Sequence, residues 1–234
     1  MRILAFECSA KAASVCLAEN GQLVSQYFQA SALTHSRTLL KMGEDLLNNL
    51  ELDIKDVDAC AVSIGPGSFT GIRIGIAAVK GLCWGADKPA IGVSTLEAMA
   101  MGTLCPVGTV ICPSMDARRS EIYNARFLKT EEGLVRLCED RAIPAGQCAL
   151  EAKADGRPHL IVGDGWQVAA GAFEDAGVSF SVPPEGWRLQ TAWGVALAAM
   201  GKTPADSADL VPVYLRLSQA ERERAERLNK ESNK

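Results

Sequence analysis

The fold of this chain depends most on one glycine-rich stretch, Gly65-Pro66-Gly67-Ser68-Phe69-Thr70-Gly71-Ile72-Arg73-Ile74-Gly75. An apolar run at 59–64, typical of a buried strand, precedes it, and an apolar segment at 76–84, typical of a helix, follows. The stretch is therefore predicted to be a strand-to-helix turn. Ser68 and Thr70 can each accept a hydrogen bond from the free N–H groups at a helix start, and Arg73 adds positive charge there. This combination could hold an anion.

The same stretch can also be a tight corner with no chemical role, because glycines allow close packing where a strand meets a helix. A phosphate-binding P-loop requires Gly-Lys-Ser/Thr after its spacer, whereas Gly71 is followed by Ile72 and Arg73. A nucleophile elbow requires glycines two residues before and after the serine, whereas Pro66 and Thr70 flank Ser68. The residues alone favour a structural corner.

Composition limits the classes of protein to consider. The 234 residues are 48% hydrophobic and carry a formal charge of −4, which argues against tight, stand-alone nucleic-acid binding. The eight cysteines form no Cys-x-x-Cys pair and only two histidines occur, so zinc-site spacing is missing from the sequence. The cysteines are typical of small buried side chains in a reducing compartment. The chain enters a strand at once and has no uncharged stretch long enough to span a bilayer, so we expect a cytoplasmic protein.

The order of patterns predicts an α/β protein. In the first half we predict strands at 2–8, 14–18, 23–29, 59–64 and 90–93, and helices at 36–50, 71–86 and 95–101. In the second half we predict strands at 109–114, 121–128, 134–138, 159–162 and 213–216, and a helix at 192–200. These patterns divide the chain into a lobe at 1–104, a smaller lobe at 105–218 and a polar tail at 219–234, the last being a solvated helix or disordered.

The helix predicted at 71–86 has an unusual composition. It is apolar almost all round, and Gly71, Gly75, Gly81 and Gly85 leave parts of its surface bare. A helix that is apolar on all sides is buried, either within its own domain or against a partner.

Few residues suggest chemistry. Glu7 ends the first strand, where a carboxylate could hold a metal–nucleotide complex, although capping the next turn is the commoner role. Gly163 and Asp164 follow a later strand and could approach a nucleotide, although an Asp-Gly turn is commoner. With Ser9, they define a candidate remnant nucleotide cleft of Glu7, Ser9, Gly163 and Asp164.

The remaining candidates involve arginine and histidine. Arg118 and Arg119 can clasp a phosphate bidentately or form solvated ion pairs at a hairpin tip, and with Ser68, Thr70 and Arg73 they form the candidate anion site. His35 has leucine, not a second histidine, one turn along its helix, so we predict no metal site. No Ser/His/Asp set or paired-acid motif can be assembled, and no catalytic residue is predicted.

Several segments together resemble the bacterial TsaB (YeaZ) family of tRNA threonylcarbamoyladenosine biosynthesis proteins, within the glycoprotease-like superfamily. The most specific segment runs from Val62 to Gly75. The others are 3–9, 14–17, 35–40, 115–123 and 212–216. The resemblance covers most of the chain and is densest in its first half.

The resemblance implies two ribonuclease-H-like lobes of the actin/sugar-kinase/Hsp70 (ASKHA) type. It also implies a non-catalytic subunit that supports threonylcarbamoyl transfer to the adenosine beside the anticodon of tRNAs reading codons that begin with A. The implied partners are a TsaD-like catalytic paralogue, which carries a metal-binding histidine pair, and a TsaE-like ATPase. Contact with tRNA would be made through the complex, and the chain would not contact a membrane.

The resemblance further implies that the helices at 35–50 and 71–86 bind the paralogue or a second copy of this chain, which makes a heterodimer or homodimer the expected assembly. The interface residues expected on this basis are His35, Leu39, Met42, Leu46, Gly71, Ile72, Gly75 and Val79. No cofactor is expected to bind firmly, and ATP or ADP would bind only in the assembled complex. Glu7-Cys8-Ser9 departs from the Asp-Thr-Ser usual in the family, which weakens a conventional nucleotide–metal role.

Two other functions compete with this one. A nucleotide-dependent transferase or kinase of the same fold would need an acid on the phosphates and a glycine-bearing loop; Glu7 is present, but the loop after it has no glycine. A peptidase would need a nucleophile–base pair or a metal, and with two histidines and no motif it is the weakest of the three.

Overall fold

The computed structural model describes residues 1–31 and 33–216, and the predicted polar tail at 219–234 lies outside them. The first lobe contains a five-stranded sheet in the order β3-β2-β1-β4-β5. Its strands are β1 (Arg2–Glu7), β2 (Ala13–Glu19), β3 (Gln22–Gln29), β4 (Ala59–Gly65) and β5 (Ala90–Ser94). The first three strands form an antiparallel meander, and β4 and β5 run parallel to β1.

The second lobe contains another five-stranded sheet, in the order β8-β7-β6-β9-β10. Its strands are β6 (Val110–Asp116), β7 (Glu121–Lys129), β8 (Leu134–Pro144), β9 (His159–Val162) and β10 (Phe180–Ser181). Here too, three antiparallel strands are followed by two strands parallel to the first. Both sheets therefore have the same strand order, and the predicted fold of two ribonuclease-H-like lobes is confirmed.

The helices cover both faces of each sheet. They are α1 (His35–Asn49), α2 (Phe69–Ala86), α3 (Thr95–Met101), α4 (Ala145–Asp155), α5 (Trp166–Asp175), α6 (Glu185–Arg188) and α7 (Ala192–Ala199). In the first lobe, α1 and α2 pack on one face and α7 on the other. In the second lobe, α4 and α5 pack on the outer face, and α3 packs on the inner face, between the two sheets.

The alternation along β1 shows why this strand is apolar throughout. Leu4 and Phe6 point toward α1 and α2, whereas Ile3 and Ala5 point toward α7. Successive side chains of a strand point to opposite faces, so a strand covered on both faces requires apolar residues at every position. The polar residue Glu7 at its carboxyl end is therefore carried into the protein interior.

Three features differ from the sequence-based prediction. Helix α7 falls within the segment predicted to be the second lobe, 105–218, but it packs on the first sheet and against α3. The strand predicted at 213–216 has no regular structure. Helices α4, α5 and α6 and strand β10 were not predicted, because α4 is weakly amphipathic and α6 and β10 are only four and two residues long.

Candidate functional site

The glycine-rich stretch forms a closely packed corner over the loop after β1. The Ser68 hydroxyl accepts a hydrogen bond from Gly71 N at 3.2 Å and so caps α2, and Ser68 N donates to Ser9 O at 2.6 Å. A Cβ atom on Gly71 would lie 2.2 Å from Cys8 O, and one on Gly67 would lie 2.5 Å from Ser9 O. Glycine is therefore required at both positions by close backbone approach.

A cleft of about 550 Å³ lies between the lobes, beside this corner. The first lobe contributes Ser9, Ala10, Lys11 and residues 66–69; the second contributes residues 115–118, Tyr123, Asp164 and Gln167. Residues 213–216 of the C-terminal segment complete the wall. This cleft is the place in the fold where a ligand could contact both lobes.

Only part of the predicted remnant nucleotide cleft lies there. Ser9 and Asp164 line the cleft, but Glu7 is fully buried and is not part of its wall. Glu7 Oε1 accepts a hydrogen bond from Ser9 N at 2.6 Å, and burial raises the pKa of the carboxyl, although the nearby Ser9 and Ser63 side chains act to lower it. The cleft-facing role considered for Glu7 is therefore corrected, whereas the commoner alternative holds: the carboxyl caps the turn after β1 by accepting from Ser9 N, and burial favours its neutral form.

The two residues predicted after β9 also differ from each other. Gly163 has a positive φ of 105°, and a Cβ atom there would lie 2.3 Å from Ser114 O, so its role is packing. Asp164 accepts a hydrogen bond from Gln190 Nε2 at 2.9 Å, and burial raises the pKa of its carboxyl. Asp164 is therefore better suited to form hydrogen bonds with a ligand in this cleft than to balance a positive charge there.

The five residues of the predicted anion site do not come together. Ser68 and Arg118 line the cleft, whereas Thr70 and Arg119 are exposed outside its wall. Arg73 is turned away, with its guanidinium 3.8 Å from the Phe69 ring centroid and its Nε donating to the Tyr214 hydroxyl at 2.8 Å. The prediction of one convergent site from these residues is wrong.

The predicted interface residues are corrected as well. Leu39, Leu46, Ile72 and Val79 are at most 1% exposed and belong to the core of the first lobe. Met42 and the two glycines are also buried; Gly75 faces Cys8, where an added Cβ would lie 2.9 Å from Sγ. His35 is partly buried and its Nε2 lies 2.7 Å from Ala10 O, linking α1 to the loop after β1. Most of the set therefore packs in the core of the chain's own first lobe rather than on its surface.

The outward faces of the same two helices carry a different set of residues. On α2 the exposed positions are Thr70, Arg73, Ala77, Gly81, Trp84 and Gly85, and on α1 they include Leu40, Lys41 and Glu44. Trp84 is 87% exposed, and nothing lies within 4 Å of a Cβ atom built on Gly81 or Gly85. A groove of about 500 Å³ beside α1 is lined by Leu40, Leu47, Leu52 and Leu82, among others. We call the exposed residues Leu40, Ala77, Gly81, Trp84 and Gly85, with the groove residue Leu82, the docking face.

Within 1–31 and 33–216, no three His, Cys, Asp or Glu side chains are grouped so as to hold a metal ion. Nor does that part of the chain include a helix both long and apolar enough to cross a membrane. Sequence reasoning missed the contribution of Val213, Tyr214 and Arg216 to the cleft wall. The Pro212–Arg216 segment contributed to the family resemblance, but its composition gave no sign of its position.

The class of protein is defined by two α/β lobes whose sheets have the same strand order and which face each other across a cleft. The family model for tRNA N6-adenosine threonylcarbamoyltransferase (TsaD) matches residues 29–163. The chain is 37% identical over 169 residues to the tRNA threonylcarbamoyladenosine biosynthesis protein TsaB of Escherichia coli (strain K12), covering 71% of this chain and 73% of that protein.

Two further comparisons extend over nearly the whole chain. TsaB of Bacillus subtilis (strain 168) is 29% identical over 222 residues, which are 94% of this chain and 96% of that protein. The solved structure of YeaZ from Pseudomonas aeruginosa superposes with a TM-score of 0.74 at 26% identity, covering 92% of this chain and 99% of that chain. The chain belongs to the TsaB (YeaZ) family and has a role in tRNA threonylcarbamoyladenosine biosynthesis.

Proposed function

We propose that this chain is a non-catalytic subunit that binds a TsaD-like catalytic subunit through the docking face and thereby supports threonylcarbamoyl transfer to tRNA. The observation that carries the proposal is the outward face of α2, where Ala77, Gly81 and Gly85 leave the helix bare and Trp84 is 87% exposed. Small side chains let a second helix approach closely, and an exposed tryptophan is typical of an interface anchor.

The groove beside α1 supports helix docking. Leu40 is 47% exposed on its rim, and Leu47 and Leu82 contribute to its walls, so an amphipathic helix could bury its apolar side there. The match of residues 29–163 to the TsaD family model includes both α1 and α2. A TsaD-like subunit would therefore have equivalent helices, and a four-helix contact between two related lobes is the geometry that we propose. A homodimer through the same helices would compete with it.

The interior position of Glu7 supports a non-catalytic role. A carboxyl that is fully buried, with its pKa raised by burial, is poorly suited to hold a nucleotide–metal complex. We therefore propose that ATP or ADP binds only in the assembled complex, where a TsaE-like ATPase completes it, and that contact with tRNA is made through that complex.

Light scattering after size exclusion, on this protein alone and mixed with the TsaD-like protein of the same organism, tests the proposal. We expect a one-to-one complex that displaces any homodimer. Gly81→Arg should weaken it at least tenfold, because the new side chain projects from the docking face into space that is free in the monomer. Leu104→Ala is the control, since Leu104 is 89% exposed in the segment between the lobes. Equal affinity for Gly81→Arg and wild type would refute the docking face.

A reconstituted tRNA modification assay separates a partner from an enzyme. Glu7→Gln keeps the acceptor for Ser9 N but cannot ionise, so we expect full threonylcarbamoyladenosine formation. Loss of modification by Glu7→Gln in a folded, complex-forming protein would instead support the nucleotide-dependent transferase reading.

A further inference from the structure

The C-terminal segment lies across the start of α2 and is attached to the first lobe at three points. Leu210 is 7% exposed and packs in the core of that lobe. Lys80 Nζ donates to Ala208 O at 2.8 Å, and Val213 N donates to Ile64 O at 2.8 Å. The segment therefore runs along one flank of α2, next to the docking face.

An aromatic cluster holds the segment against the first turn of α2. The rings of Phe69 and Tyr214 stack with centroids 4.6 Å apart and an interplanar angle of 23°. Arg73 covers Phe69 at 3.8 Å and donates through Nε to the Tyr214 hydroxyl at 2.8 Å. Stacking, cation–π contact and the hydrogen bond together fix the three side chains in one arrangement.

The far end of the segment is tied to the second lobe. Arg216 Nη1 lies 2.6 Å from Glu121 Oε2 and donates to Ala117 O at 2.5 Å. Because the segment is held at Leu210 on one side and at Arg216 on the other, the side chains between them are presented on a restrained backbone. Less conformational entropy is then lost when a partner binds them.

The segment exposes apolar side chains next to the start of α2, and two of them, Val213 and Tyr214, also form part of the cleft wall. Val211 is 62% exposed, Val213 41% and Tyr214 38%. Arg73, Ala77 and Gly81 follow one another at four-residue intervals on the exposed side of α2, so Arg73 continues the same stripe toward Tyr214. We call Phe69, Arg73, Val211, Val213 and Tyr214 the aromatic ridge.

We infer that the aromatic ridge is a second part of the surface that binds the TsaD-like subunit, an inference that rests on the proposed function. Tyrosine and arginine are enriched among the residues that contribute most to binding, above all where they are held in place beforehand. The Arg73 guanidinium makes no ion pair with the described residues, so its Nη groups can donate hydrogen bonds to an acceptor on a partner. The matching partner surface is apolar and carries a carboxylate opposite Arg73.

Two variants test the ridge without altering the docking face on α1 and α2. Val211→Asp places a charge at an exposed position, and Arg73→Glu reverses the charge that would meet the partner's carboxylate. Isothermal titration with the TsaD-like protein should show at least a tenfold loss of affinity for each. Leu104→Asp, an equally drastic change at a remote exposed position, should bind like wild type, and circular dichroism should show that all three variants are folded.

The outcomes distinguish the ridge from the docking face. If Val211→Asp and Arg73→Glu bind within twofold of wild type while Gly81→Arg does not, the ridge proposal is overturned and the docking face stands. If Gly81→Arg also binds like wild type, both proposals fail. If Val211→Asp, Arg73→Glu and Gly81→Arg all lose affinity and Leu104→Asp does not, both surfaces take part in binding.

Discussion

At the scale of single residues, the glycines of α2 divide into two groups with opposite roles. A Cβ atom at Gly71 would lie 2.2 Å from Cys8 O, whereas one at Gly81 would have nothing within 4 Å. The same change should therefore have opposite effects at the two positions. Gly71→Ala should lower the free energy of unfolding by roughly 1–3 kcal/mol, because the loop after β1 must shift. Gly81→Ala should raise it by about 0.5–1 kcal/mol through helix propensity.

Urea unfolding at neutral pH measures both glycine changes. Because they lie in the same helix and add the same methyl group, each is the control for the other. A loss of stability for Gly81→Ala as large as that for Gly71→Ala would mean that the outward face of α2 is itself packed.

The Glu7 carboxyl should make stability depend on pH. Burial raises the pKa of this group in the folded protein above the value of 4.5 that it has when unfolded. Between these two values the folded state binds more protons than the unfolded state, so stability falls as pH rises through the window. Glu7→Gln removes this dependence and should be more stable than wild type at pH 7.5, with the difference shrinking toward pH 4.5.

Urea unfolding of Glu7→Gln and wild type at several pH values between 4.5 and 7.5 checks this. Their difference isolates Glu7 from the other titrating groups. A difference independent of pH would contradict the buried, neutral carboxyl.

At the scale of elements, α2 depends on its N-terminal cap. Ser68 Oγ accepts from Gly71 N at 3.2 Å, and no acidic residue lies in the first turn. Ser68→Ala should therefore cost about 1 kcal/mol. Ser68→Asp should recover most of the loss, because an aspartate accepts the same bond and interacts favourably with the helix N-terminus. Thermal or urea unfolding measures both; equal losses for the two would show that the cap contributes little.

Helices α1 and α2 also show what sequence could and could not predict. Spacing correctly located α1 and α2, and the leucines of α1 indicated one apolar face. It could not tell which face of α2 points inward, because this helix is apolar all round: Gly71 and Gly75 face Cys8, whereas Gly81 and Gly85 face outward. Choosing between the two sides requires the position of the loop after β1, which is a tertiary contact.

The same limit applies to the cleft. The apolar run at the start of the chain predicted that Glu7 lies at the end of β1, but not that it is buried below the cleft wall. The small residues of α7 predicted a helix there. They did not predict which of the two sheets the helix covers, because small apolar side chains fit either core. The role of Tyr214 depends on Phe69 and Arg73, which lie far away in sequence.

At the scale of the whole molecule, the two lobes are linked by a helix that follows one lobe in sequence and packs on the other. Helix α7 follows the second lobe in sequence but covers one face of the first sheet, with Val195 and Ala199 fully buried. A chain ending at residue 189 would leave that apolar face open. We expect it to lose cooperative unfolding and to aggregate, whereas a chain ending at Arg216, which keeps α7, should unfold cooperatively.

Circular dichroism during thermal unfolding, with light scattering to detect aggregates, compares the two truncated chains. Cooperative unfolding of the chain ending at residue 189 would show that the first lobe is stable without α7.

The late position of α7 has a consequence for synthesis on the ribosome. The first sheet is complete once β5 has emerged, and α3 then covers part of its second face, but the rest of that face stays open until residues 192–199 follow, after the whole second sheet. N-terminal domains often fold while the rest of a chain is still being made. Here the nascent first lobe keeps an apolar surface open until residues 192–199 emerge, so we expect chaperones to bind that surface during the interval.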